Sequence, residues 1–216
     1  SDGQGSFKGR LSHYLCEQAA SCVAADKRSL ALTHLAQAMH IAPDAPRPRM
    51  DLARVQFELG DATLACDTLT QAITASPSAI ALIAPALARY AIAAGQGTRT
   101  LDQLKAVYSH TPSLDVLDAI VALEAASGAP SATAREWYAR HLENEPSLVA
   151  AAKWIAGEKL EHEQFHPQVQ RALDHAVKPL TRYRCAACGF EAKQHFWQCP
   201  GCQAWDSYPA RRVEEL

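Results

Sequence analysis

Four cysteines near the end of the chain, Cys185, Cys188, Cys199 and Cys202, follow the spacing Cys-x2-Cys-x10-Cys-x2-Cys. A Cys-x2-Cys turn directs two thiolates to one point, and two such turns close a tetrahedral shell of four sulfurs around one metal ion. Gly189 follows the second cysteine, where the knuckle backbone turns tightly, and Pro200 pre-sets the other turn. Four sulfurs fill the shell and leave no position for a substrate, so the expected site is structural and not hydrolytic. An all-thiolate shell accepts zinc or iron. The other three cysteines, Cys16, Cys22 and Cys66, stand alone in Ala/Leu-rich stretches and read as small buried hydrophobes. This usage fits a reducing compartment and not a disulfide-stapled secreted scaffold.

A second constellation, His162-Glu163-Gln164-Phe165-His166, fits the His-Glu-x-x-His pattern of zinc proteases. That chemistry needs both histidines on one face of a continuous helix. Pro167 follows at once and disfavours helical geometry at His166. The stretch is therefore expected to be a polar helix end, with histidines near a helix C-terminus where positive charge is tolerated, and to carry no catalytic zinc.

The elements that must position the cysteines are helical and repetitive. Prolines fall at Pro43, Pro77, Pro112 and Pro146, in steps of 34, 35 and 34. Three further series keep the same period: Ala19, Ala53, Ala88, Ala122 and Ala156; Ala31, Ala65, Thr100 and Ala134; Leu35, Leu69, Leu104 and Tyr138. Each unit reads as two helices; in the second, one runs over Arg47 to Leu59, Gly60-Asp61 turns the chain, and the other runs over Ala62 to Ala75. The small residues and proline at Ala53, Ala65 and Pro77 resemble the tetratricopeptide repeat. The expected fold is all-α: a tetratricopeptide-repeat superhelix of about five helix pairs over residues 11–180, after a flexible start or boundary at 1–10, with a small metal knuckle at 181–216. One unit cannot bury its apolar face alone, and stacked units form a concave groove suited to a peptide or protein partner. Arg54 and Arg89 are candidates to line that groove, or equally to be solvated surface.

Composition bounds the function. Apolar residues make up 48% and charged residues 20% of 216, and the net charge is −2. No basic field points to nucleic acid; residues 181–216 carry five Lys/Arg against four Asp/Glu. The longest apolar run, Ala79 to Ala88, is too short to span a bilayer, and no signal peptide is visible. Six of the fifteen aromatics, Tyr183, Phe190, Phe196, Trp197, Trp205 and Tyr208, lie within 26 residues. A metal-centred unit of this size cannot bury them all, so some are expected to dock on the last repeat, with the short linker Lys178–Thr181 giving a fixed mount. Cys185→Ser is then expected to bare the fifth unit and leave the earlier repeats untouched.

The segments around Tyr183-Arg184-Cys185 and Cys199-Pro200-Gly201-Cys202 resemble the two metal loops of rubredoxin, with a much shorter connection between them. Together with the repeats, and with Trp197 before the second knuckle and Ala204-Trp205 after it, they resemble the lipopolysaccharide assembly protein B family. That resemblance implies a non-enzymatic adaptor on the cytoplasmic side of the bacterial inner membrane. It implies a membrane helix N-terminal to, and absent from, this chain. It implies iron as the metal, with zinc compatible. Its implied partners are the deacetylase that commits precursor to lipid A, a membrane-anchored AAA+ zinc protease that degrades it, and other lipopolysaccharide assembly proteins. A rubredoxin-like electron carrier fused to a protein-binding array is the alternative.

Overall fold

Residues 7–158 and 163–216 are described by a computed structural model of the chain. Ten helices occur among them, in five antiparallel pairs: α1 (Phe7–Ala24) with α2 (Arg28–Ile41), α3 (Pro46–Glu58) with α4 (Ala62–Ala75), α5 (Ile80–Ala93) with α6 (Gly97–His110), α7 (Leu114–Ala126) with α8 (Ser131–Asn144), and α9 (Leu148–Ala156) with α10 (His166–Val177). α1 begins at Phe7, within the stretch read from sequence as a flexible start.

The periodic prolines explain where units end. Pro43, Pro77, Pro112 and Pro146 each stand two residues beyond α2, α4, α6 and α8. A residue before proline is pushed out of the helical region. Ala42, Ser76, Thr111 and Glu145 accordingly cap those helices with ψ between 71° and 120°. Inside the units the chain reverses through left-handed residues, Asp26, Gly60, Gly95 and Gly128, with φ between 55° and 89°. At Gly60 the amide of the next residue, Asp61, bonds the Gln56 carbonyl, which satisfies the end of α3.

The Leu35, Leu69, Leu104 and Tyr138 series is buried in every unit, and so are Ala31, Ala65 and Thr100. The other small series holds for Ala19, Ala53 and Ala88 but not for Ala122 and Ala156, which are exposed. In α7 the larger Ile120 and Leu123, with Ala119, turn inward instead. In the fourth and fifth units the buried positions of the first helix therefore fall outside this series. A central core links α3 to α7 through Leu69, Ile83, Leu87, Leu104 and Ile120, and a second cluster joins Leu114, Leu117, Tyr138 and Val149. No single helix among the described residues is long and apolar enough to cross a membrane.

After α10 the chain forms a small unit with little regular structure. It has an antiparallel pair, β1 (Tyr183–Arg184) and β2 (Glu191–Ala192), and ends in a short 3-10 turn, Val213–Glu215.

Candidate metal centre

The two knuckles are built alike. In the first, the Cys185 amide donates to the Phe190 carbonyl and the Gly189 amide to the Cys185 carbonyl, at 2.9 and 2.8 Å. In the second, the Cys199 amide donates to Ala204 and the Gln203 amide to Cys199, again at 2.9 and 2.8 Å. The residue after each second cysteine is left-handed, Gly189 at φ 77° and Gln203 at φ 61°. Glycine accepts that conformation without strain. The space around a Cβ at Gly189 is empty, so Gly189→Ala suffers from backbone strain alone. It is expected to cost about 1 kcal/mol of stability, read as a lowered urea midpoint with metal content unchanged.

The four Sγ atoms lie within 4.8 Å of one another, in a group able to hold one metal ion. Cys185 to Cys202 is 3.9 Å and Cys188 to Cys199 is 3.7 Å. A tetrahedron with metal–sulfur bonds of about 2.3 Å has edges of roughly 3.8 Å, so the donor set fits the expected ion. Cys185 and Cys199 are buried, and Cys188 and Cys202 face solvent. Burial opposes ionisation of Cys185, but hydrogen bonds with Ser207 and with the backbone N–H groups of Cys188 and Ala187 outweigh it and bring the thiol down to about 6. Burial also opposes ionisation of Cys199, where the N–H groups of Cys202 and Gly201 win and the thiol is lowered. Both inner thiols are thus held below the usual thiol range by the groups that donate to them. Around them Tyr183, Tyr208 and Phe196 pack into one small core.

This core does not sit on the last repeat alone. Leu82 of α5 packs into it. The Trp205 ring stacks on His13 of α1 at 4.8 Å, and Tyr14 meets Trp205 edge-on at 5.6 Å. His13 Nε2 lies 2.8 Å from Asp206 Oδ1, while Arg47 of α3 donates to His13 Nδ1 at 3.3 Å. With Nδ1 accepting, the hydrogen sits on Nε2 and is given to Asp206. Arg47 also lies 6.0 Å from the Trp197 ring centre. Farther along, Arg212 grips Asp115 of α7 through two bonds of 3.0 and 2.9 Å. Every one of these partners lies on the first helix of its unit. The expected mount on the last repeat is therefore corrected. Val177 and Leu180 do pack on the fourth and fifth units, but the metal unit lies across the inner helix face from α1 to α9. The physical reason is that Trp205, Asp206 and Arg212 find partners of matching chemistry, His13 and Asp115, on first helices far from the last repeat.

The docking residues were missed from sequence. His13, Arg47, Leu82 and Asp115 recur in steps of 34, 35 and 33. His13, Arg47 and Asp115 are polar groups only 4%, 7% and 7% exposed. Their shared phase was the available signal, masked by their differing chemistry.

Arg54 pairs with Asp51 and Glu58 on its own helix, at 3.6 and 3.3 Å, and is partly exposed. Arg89 is exposed; it packs over Phe57 and Tyr90, at 5.4 and 4.9 Å from the ring centres. Neither meets the metal unit. In the protease-like pattern His162 lies outside the described residues. His166 opens α10 instead of closing a helix, with Pro167 in the first turn, and its Nε2 lies 3.2 Å from the Ile155 carbonyl.

Comparison with known proteins agrees with this anatomy. Residues 183–208 match the family described as the rubredoxin metal binding domain. A solved structure from a functional characterisation of Pseudomonas aeruginosa pilF superposes with a TM-score of 0.53 at 14% identity, over 79% of this chain and 78% of that one, which shows the repeat fold. Lipopolysaccharide assembly protein B of Escherichia coli strain K12 is 24% identical over 213 residues, and so is the same protein of two further Escherichia coli strains. The match takes in 95% of this chain and 54% of the relatives, so the chain spans about half of their length. Along nearly its whole length, then, the chain is similar to lipopolysaccharide assembly protein B, and its cysteine unit matches the rubredoxin metal binding domain.

Proposed function

We propose that the chain is a non-enzymatic adaptor in the control of lipopolysaccharide assembly, working on the cytoplasmic side of the inner membrane. It holds the lipid A-committing deacetylase for degradation by a membrane-anchored AAA+ protease. The four cysteines carry one metal whose task is structural: when bound, the ion cross-links the two knuckles. The chain's own residues do the rest. Trp205, Asp206 and Arg212 bind the unit to the inner helix face, and the remaining face and the metal unit then form one composite surface for partners.

The observation that carries this reading is the seat of the metal unit on α1, α3, α5 and α7. A unit that spans the array ties metal binding to the shape of the groove, which suits an adaptor better than a tethered carrier. The likeness to lipopolysaccharide assembly protein B supplies the process. The experiment is the lifetime of the deacetylase in cells carrying the full-length protein, wild type against Cys185→Ser. A lifetime lengthened severalfold is expected. An unchanged lifetime with the variant at normal abundance would detach the metal unit from this role.

One observation favours the electron-carrier reading: Cys188 and Cys202 are exposed, which would put a bound iron near the surface. Reversible loss of visible colour on reduction would support it, and zinc in protein isolated from its natural host would end it.

A further inference from the structure

Residues 212–215 close two helix ends of the array. The Glu214 carboxylate accepts from the Leu148 and Val149 amides at 2.6 and 3.1 Å and from the Ser147 hydroxyl at 2.8 Å, closing the N-terminus of α9. Glu215 accepts from the Leu114 amide at 2.9 Å, at the N-terminus of α7. Arg212 holds Asp115 with two bonds, donates to the Thr181 carbonyl at 2.8 Å and covers the Tyr183 ring at 4.3 Å. The backbone joins in: the Val213 and Glu214 amides bond the Arg182 and Leu180 carbonyls. Beside the Leu114 amide, the Ser113 hydroxyl is 1% exposed and has no hydrogen-bond partner.

Two helix N-termini set side by side favour anions through their free N–H groups and their dipoles. A buried carboxylate between them demands a cation. Together these features read a sequence: an arginine, any residue, then two glutamates. We propose that the inner face of the fourth and fifth units is a recognition site for a protein segment bearing Arg-x-Glu-Glu, filled within the chain by its own Arg212–Glu215. A partner carrying the same pattern binds by displacing this tail. The inference rests on the adaptor reading only in taking the ligand to be a protein segment.

The tail competes from a high local concentration because it is tethered, so the site opens to an outside peptide when the tail is disabled. The test uses the whole chain with Arg212→Ala, Glu214→Gln and Glu215→Gln together, which leaves the helix faces intact. The probe is a labelled hexapeptide of sequence Arg-Arg-Val-Glu-Glu-Leu. Saturable binding to the variant is expected, at least tenfold weaker binding to the wild type, and none of a version with both glutamates changed to glutamine. No saturable binding to a folded, metal-containing variant overturns the proposal, and so does equal binding of the glutamine peptide. If the variant loses its helical signal, the milder Glu214→Gln and Glu215→Gln pair, which keeps Arg212 on Asp115, replaces it: binding that discriminates the two peptides supports the site, and none overturns it. No deacetylase or protease is present, so failure here leaves the adaptor reading standing.

Discussion

Cys185→Ser loses the metal and releases residues 181–216 from the groove. Structural thiolate sites contribute on the order of 10–16 kcal/mol to folding in small metal-centred units. A segment of this size has no other core of comparable strength, since Tyr183, Tyr208 and the inner cysteines are its whole buried apolar set. The variant is therefore expected to contain no bound metal and to be cut by protease throughout the C-terminal segment. The effect reaches beyond the fifth unit, because His13, Arg47, Leu82 and Asp115 lose their cover together. The helical content of the array stays near its wild-type value, while its thermal midpoint falls by roughly 5–10 °C. Circular dichroism against temperature and limited proteolysis measure both. A protease-resistant C-terminal segment in the variant would contradict this account.

Asp115→Ala is expected to cost about 3 kcal/mol. The Asp115 side chain is 10% exposed and that of Arg212 26%. Removing one partner of such a pair strands the other, and that loss exceeds what the pair gained by forming. Arg212→Ala is expected to cost a similar amount by stranding Asp115. The double substitution costs less than the two singles added, by roughly 1–3 kcal/mol. Arg212→Lys rescues little, because a lysine cannot make the paired bonds to both carboxylate oxygens. Urea midpoints of the four proteins give the cycle. Strict additivity would show that the two groups act independently.

The repeat was legible because its signals are local. Proline before a new helix and a left-handed residue between paired helices each act within a few positions, so a period of 34 survives in sequence. The metal site was legible for the same reason: two turns of four residues nearly determine where their sulfurs go. The seat of the metal unit was not legible. It joins His13 to Asp206 and Asp115 to Arg212, and such pairs depend on the curvature of the stacked helices and not on any short window. The buried face of α7 was also hidden. Ala122 keeps the period, yet Ile120 and Leu123 offer more apolar area and take the buried face. Likewise Glu214 and Glu215 look like an ordinary charged end until two helix N-termini are seen to meet them.

The central claim is that the metal unit spans the inner helix face of the array. Hydrogen exchange read by mass spectrometry, on the metal-loaded chain and on the chain stripped of metal under reducing conditions, tests it most directly. The account predicts faster exchange on stripping at the starts of α7 and α9, whose first amides are held by Glu215 and Glu214, and in α1 and α3 around His13 and Arg47. A change confined to residues 148–216, with α1, α3 and α7 unaltered, would contradict it and return the metal unit to the last repeat.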